Sequence, residues 1–262
     1  MPESAWPPSA DPHPPAWSID WVERWERQQE RYAVDREERF TVIADVVERV
    51  TDGQQCPLLV DLGSGPGSLS ARLAARLPRA RIIAADVDPL LLELGRAQHA
   101  EAVRFVEVLI GRPGWIEALG LERPLDAAVS STALHYPRPE RLREIYRDLA
   151  GVLRPGGVLV NGDHLVPEDP VLAGLAELVG RRHAGRHGVD EAEDWTTWWA
   201  EAGRNPAFAD LLSARELRPA PAAGDGNGLS AAQHEQLLRE AGFRHVGPVW
   251  QYGNSCVLVA VR

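Results

Sequence analysis

Residues 58–67 read Leu58-Leu59-Val60-Asp61-Leu62-Gly63-Ser64-Gly65-Pro66-Gly67, and Leu69–Leu77 follows with apolar positions at helical spacing. An apolar strand that runs into a glycine-rich turn and then a helix is the context of a nucleotide-binding loop. Glycines there let the backbone turn sharply and approach a ligand with no Cβ in the way. The spacing is G-x-G-x-G. A dinucleotide fingerprint needs glycine or alanine one place later, where Ser68 stands, and this counts against a dehydrogenase. A merely tight turn would explain one glycine, not three with Asp61 before them.

Working outward, short apolar runs alternate with helical segments. Strands are expected at Leu58–Leu62, Arg81–Ala85, Val103–Val108, Asp126–Ser130 and Val158–Asn161, with helices over Leu90–Gln98 and Leu142–Leu153. This alternation predicts a parallel sheet with helices on both faces. Arg154-Pro155-Gly156-Gly157 is expected to stop a helix before the next strand. Val246–Tyr252 and Ser255–Val261, joined at Gly253-Asn254, read as an antiparallel hairpin. Between them, 168–217 is helical without strands, Pro219–Gly228 is a loop, and Ser230 with Gln233 forms a capping box for a helix to Ala241. Upstream, Trp17, Trp21 and Trp25 share one helical face, and Phe40, Ile43, Val46, Val47 and Val50 stripe a second helix.

The division expected is a disordered arm at 1–16, lid helices at 17–54, a core at 55–165 and 229–262, and a helical insertion over the active site at 166–228. Six prolines within residues 1–15 underlie the arm.

Composition narrows the function. The 28 basic residues are all arginine, so chemistry that needs a lysine amine, a Schiff base or a Walker loop, is excluded. A net charge of −10 argues against nucleic acid, whose binding rests on neutralising phosphates. Two cysteines, Cys56 and Cys256, make neither a disulfide framework nor a four-cysteine zinc site. No apolar run approaches the ~20 residues of a membrane span, and no secretory signal is expected at the N-terminus. A cytoplasmic protein is expected.

About twenty residues after the glycine loop an acid should meet ribose hydroxyls. Asp86 and Asp88 are the candidates. Asp86 ends its strand at the carboxyl edge, whereas Asp88 precedes Pro89 and reads as a helix N-cap. Asp86 is assigned to the ribose.

These stretches, with Ala85-Asp86-Val87-Asp88-Pro89, Ser130-Ser131-Thr132-Ala133-Leu134-His135 and Leu153-Arg154-Pro155-Gly156-Gly157, resemble a class I S-adenosylmethionine-dependent methyltransferase over about 55–165. The resemblance implies an α/β fold with a Rossmann-like seven-stranded, mostly parallel sheet and one antiparallel strand. It implies S-adenosylmethionine as cofactor and S-adenosylhomocysteine as product. It places Asp61 near the methionine moiety, Gly63, Ser64, Gly65 and Gly67 against the ligand, Asp86 and Val87 at the ribose, and Ser130 beside the methionine amine. One departure stands out: Leu109 occupies the place where such proteins often carry an adenine-binding acid. Adenine is expected to pack on Ile110 or Trp115, although core packing is an equal account of Trp115.

Methyl transfer to oxygen or nitrogen also requires loss of a proton, and histidine is the usual base. His135 and His164 follow neighbouring strands at the carboxyl edge, accompanied by Tyr136 and Asp163. A loop histidine bonded to backbone is the competing account of each. Helix packing explains many of the nine tryptophans, but Trp21, Trp195 and Trp199, with Tyr32 and Tyr136, are expected to wall an apolar substrate pocket. His183 and His187 stand four apart, yet Gly185 lies between them and no acid motif is near, so no metal is expected.

The function expected is methyl transfer to an O, N or C atom of a small, partly apolar molecule. The alternatives are a non-methylating enzyme on the same fold, such as a cyclase, or a degenerate binding subunit. Partners are the small-molecule acceptor and, in a homodimer, a second copy; no nucleic acid or membrane partner is expected.

Overall fold

The computed structural model describes residues 16–33, 35–189, 193–218 and 226–262. Among them seven strands form one sheet: β1 (Leu58–Leu62), β2 (Arg81–Asp86), β3 (Val103–Glu107), β4 (Leu125–Ser131), β5 (Leu153–His164), β6 (His245–Tyr252) and β7 (Ser255–Val261). Their order is β3-β2-β1-β4-β5-β7-β6. β7 runs antiparallel to both of its neighbours, β5 and β6, and so opposite to the other six strands. The chain steps outward from β1 to β3 and then returns to place β4 on the other side of β1. The carboxyl ends of β1 and β4 therefore flank the switch point at which open α/β sheets bind ligands.

Alternate side chains of the central strands enter two cores. Leu59, Val129 and Val160 pack under α2 (Arg36–Val50), α3 (Ser68–Arg76) and α4 (Pro89–His99), against Ile43, Leu73 and Leu92. Val60, Ala128 and Leu159 face α5 (Trp115–Ala118), α6 (Pro139–Val152) and α10 (Ala231–Ala241), against Leu119, Ile145 and Leu238. Burial on both faces is why these strands read as continuous apolar runs rather than alternating ones. The capping box of α10 forms as expected, with both Ser230 and Gln233 engaged.

One boundary differs. The helix does stop at Val152, but Arg154-Pro155-Gly156-Gly157 lies inside β5 as a bulge. Leu153 already pairs with Leu125, and the register then jumps so that Ala127 meets Val158. Hydrogen bonds hold the bulge to the chain end, from Gly156 N to Arg262 O at 2.9 Å and from Arg262 N to Gly157 O at 3.0 Å. Proline and glycine here bend a strand instead of preceding it.

α1 (Ala16–Tyr32) crosses the top of the sheet and meets α8 (Trp195–Arg204) and the 3₁₀ turn Pro206–Phe208 on α4. Trp21 packs edge-on against Trp198 at 5.3 Å and Phe208 at 5.2 Å, and Trp25 against Trp198 at 5.1 Å. Each buried ring removes ~150–250 Å² from water, or about 4–6 kcal/mol before ordering costs at ~25 cal/mol per Å². Ion pairs reinforce the junction: Arg24 with Glu193, and Arg215 of α9 (Ala209–Glu216) with the Asp88 cap at 2.6 Å. α7 (Pro170–His187) leaves Val171, Leu172 and Leu175 more than half exposed. The expected arm, apart from Ala16 at the head of α1, lies outside the described residues, as do 219–225 of the expected loop. No helix among the described residues is long and apolar enough to cross a membrane.

Candidate active site

The glycine loop hangs from the end of β2. Gly63 N and Ser64 N donate to Ala85 O at 2.8 and 3.1 Å. Gly65 N donates to Asp86 Oδ2 at 2.7 Å, while Asp86 Oδ1 accepts from Val87 N and Asp88 N at 2.7 and 2.9 Å. Asp86 thus stands at the mouth of the loop and fixes it. Asp88 caps α4 through Leu90 N and Leu91 N. Asp88 thus takes the capping place that its position before Pro89 suggests.

Gly63 has φ +69°, and a Cβ on it would lie 2.3 Å from the Ala133 Cβ. Gly63→Ala is therefore expected to destabilise the protein by about 2–5 kcal/mol, combining left-handed strain with overpacking. A urea midpoint equal to wild type would reject that account of the loop.

Asp61 is buried beneath α3, where Ser70 Oγ donates to its Oδ2 at 2.7 Å. Burial pushes its carboxyl up to about 7, against the Ser70 hydrogen bond. A raised folded pKa contributes stability below the unfolded value of ~4 that is lost as pH rises through the folded one. Asp61→Asn keeps an acceptor for Ser70 and removes the buried charge. At pH 8 it is expected to raise stability by ~1–3 kcal/mol, and at pH 5 by much less. Denaturation at both pH values checks this, and a loss of stability at pH 8 would overturn it.

The second centre lies beyond β4 and β5. His135 Nδ1 and Asp163 Oδ1 are 2.8 Å apart, with the imidazole a quarter exposed and the carboxylate buried. His164 N donates to the same oxygen at 2.8 Å. Burial alone would lower the His135 pKa, but the hydrogen bond and charge of Asp163 outweigh it and hold it above the usual value. His164 faces Arg39 and lacks such a partner; burial, then Arg39, brings it down to about 4. Tyr136 stacks 4.2 Å from the His135 ring. Asn227 straps the loop, with its N donating to His135 O at 2.6 Å.

Around the pair, Asp163 Oδ2, His234 Nε2, Arg39 Nε and both ends of the Asn161 amide are buried with no hydrogen-bond partner. Buried Arg39 donates through Nη2 to Ser255 Oγ at 2.6 Å; burial lowers its pKa to about 10, and Asp163 is the charge that opposes this most.

Several expected site residues lie elsewhere. Trp115 is withdrawn into the core with Leu142 and Ile145, and its N–H donates to Asp148 Oδ2 at 2.7 Å. It packs in the core and also borders an open cleft with Gly111, Arg141 and Asp148. Ser130 Oγ is spent on Leu62 O at 2.9 Å, because β4 continues to Ser131 and turns Ser130 inward. Trp21 and Trp199 belong to the aromatic junction rather than to a pocket wall; Arg215 covers Trp199 at 3.9 Å. Trp195 and Tyr32 stay at its exposed margin, joined by a hydrogen bond from Trp195 N to Tyr32 Oη at 3.1 Å. Ile110 is half-buried at the end of the β3 loop, which Asp86 O ties back through Val108 N at 2.7 Å.

Two residues enter unforeseen. Trp25 lies over the loop, 3.5 Å from where a Gly65 Cβ would stand. Thr132, with φ +54°, is the non-glycine residue in the left-handed region among those described, and it stands between β4 and His135. Strain of this kind concentrates at functional sites. Trp25 was legible only as one of a helical triad.

The described residues contain no group of three or more side chains suited to a metal. The crevice does suit a nucleoside-bearing ligand: Gly65 keeps open a backbone-lined cradle, and a carboxylate stands at its mouth.

Comparison with known proteins points the same way. Residues 59–157 match the family described as a methyltransferase domain. The trans-aconitate 2-methyltransferase of Methylobacterium radiotolerans is 31% identical over 218 residues, 80% of this chain and 74% of that one. The carboxy-S-adenosyl-L-methionine synthase of Chromohalobacter salexigens is 26% identical over 207 residues, 77% of this chain and 67% of that one. Human N-acetylserotonin methyltransferase, solved with S-adenosylmethionine, shares the fold with a TM-score of 0.52 at 18% identity, over 94% of this chain and 58% of that one.

Proposed function

Since this chain belongs to the class I S-adenosylmethionine-dependent methyltransferases and uses that cofactor, we propose that it methylates an oxygen or nitrogen of a small molecule with His135 as general base. When bound, S-adenosylmethionine supplies an electrophilic methyl group on a sulfonium centre. Gly63, Gly65 and Gly67 would hold the cofactor through their backbone, Asp86 through the ribose hydroxyls, and Trp25 by packing over the loop.

The observation that carries the assignment of the base is the 2.8 Å contact of His135 Nδ1 with Asp163. A proton on Nδ1 shared with this carboxylate leaves Nε2 as the proton acceptor. A base whose pKa is raised toward the working pH is the more effective one. His164, held neutral but weakly basic, suits a hydrogen-bonding role better.

The intact loop, Asp86 and dyad favour an enzyme over a degenerate binding subunit. Incubation with labelled methyl donor and a panel of hydroxyl- and amine-bearing acceptors tests the reading. Methylated product is expected; cofactor binding without transfer to any acceptor would favour the non-methylating alternative.

A further inference from the structure

We propose that Gln28 of α1 reads the amino-acid end of S-adenosylmethionine, so that the protein selects the intact cofactor over nucleosides that lack this end. The inference rests on the cofactor lying over the glycine loop and is independent of which residue is the base.

Gln28 is an unfavourable side chain for its place in the fold. It is fully buried, and neither the oxygen nor the nitrogen of its amide has a hydrogen-bond partner. Leaving both ends of an amide unpaired away from water destabilises the folded chain. An apolar residue of the same size would serve folding better. A bound ligand that completes both bonds gives the amide a purpose.

The path of α1 places it. Trp21, Trp25 and Gln28 follow one another at spacings of four and three, which puts them on one stripe of the helix, and all three are buried. Trp25 stands over the loop that follows β1, 3.5 Å from the Cβ position of Gly65. At its other end α1 leads into α2, where Arg39 packs on Gly162 of β5 and donates to Ser255 of β7. β4 lies between β1 and β5 in the sheet. α1 therefore follows the carboxyl edge from β1 toward β5. Gln28 stands about 4.5 Å along its axis from Trp25, at ~1.5 Å per residue, on the β4 side of the glycine loop.

The cofactor would lie along the same line. Asp86 at the end of β2 accepts from Gly65 N at 2.7 Å, so a ribose held by Asp86 sits against the loop. β2 and β3 lie on one side of β1, and β4 on the other. With the nucleoside on the first side, the amino-acid chain leaves the ribose through sulfur toward the second. That end carries an ammonium group and a carboxylate on one carbon. The Gln28 oxygen can accept from the ammonium and its nitrogen donate to the carboxylate, so one ligand satisfies both unpaired ends. A group offering only donors or only acceptors would satisfy one end alone. A charged side chain at this position would attract half of the zwitterion and repel the other half, whereas a neutral amide suits both.

Calorimetry with S-adenosylhomocysteine and with methylthioadenosine tests the assignment, because the second ligand keeps the nucleoside and the sulfur but lacks the amino-acid end. Gln28→Met, apolar and close in shape, is expected to weaken S-adenosylhomocysteine by tenfold or more, since two hydrogen bonds to charged groups are lost. Methylthioadenosine should change by less than twofold. The ligand-free variant is expected to melt no lower than wild type, because it no longer buries an unpaired amide. In the wild-type protein the Gln28 side-chain amide resonances are expected to shift with S-adenosylhomocysteine and to stay in place with methylthioadenosine, a readout that needs no substitution. Equal losses for the two ligands, or an unchanged S-adenosylhomocysteine affinity with unmoved amide resonances, would overturn the proposal. Asp86→Ala is the control and is expected to weaken both ligands. Unchanged affinity for both would reject the placement of the cofactor, and the inference with it.

Discussion

Replacing His135 by glutamine is expected to lower kcat by ~10²–10⁴-fold, the range for loss of a general base, with cofactor affinity unchanged. Glutamine can still hydrogen-bond Asp163 but accepts no proton from the acceptor. The wild-type rate should fall on the acid side as His135 protonates, at a pKa above the usual 6.5 because Asp163 outweighs burial. Asp163→Asn takes away the charge and leaves burial dominant, so the acid limb should move to lower pH while kcat drops. The same pairing makes His135 a stabilising contact below pH ~6.5 that is lost as pH rises through its folded pKa. Turnover of His135→Gln within a few-fold of wild type, with an unshifted pH profile in Asp163→Asn, would reject the base.

The second large effect is on cofactor binding. Asp86→Ala is expected to weaken the Kd for S-adenosylhomocysteine by ~10²-fold or more, since two hydrogen bonds to a charged group are lost at ~1.5–3 kcal/mol each. It also strips the acceptor from Gly65 N, Val87 N and Asp88 N, so the ligand-free protein should melt earlier. Asp88→Ala removes the cap of α4 and the partner of Arg215. About 1 kcal/mol of stability should go with the cap, with the Kd moving only a few-fold. Calorimetry and ligand-free melts on both variants separate the two roles; equal Kd losses would mean that Asp86 only shapes the loop.

Much of this arrangement is local in the chain and therefore legible from it. Asp88 before Pro89 announces a cap, and the glycines before Ser68 announce a turn into a helix, because both depend on neighbours a few residues away. The pairing of His135 with Asp163 spans 28 residues and depends on the register of β4 against β5, which no spacing encodes. The surroundings of Trp115 are set in the same way: α6, thirty-three residues on, brings Asp148 to its N–H. Pro155, Gly156 and Gly157 look like punctuation, and the strand passes through them because Arg262 takes up the Gly156 N–H and the Gly157 carbonyl. Trp25 is hidden differently, since only the path of α1 over the sheet carries it to Gly65.

The aromatic junction on α4 also bears on the order in which the molecule assembles. Its two halves come from distant parts of the chain: the Arg24–Glu193 contact alone closes 169 residues. Contacts of such separation carry the loop-closure entropy of everything between them, and they form after local ones. The helices that tie Trp25 over the glycine loop thus join the sheet as a late, single cooperative unit. In native-state hydrogen exchange, α1 and α8 should open together at a free energy below that of β1 and β4, and the same opening would uncover the crevice.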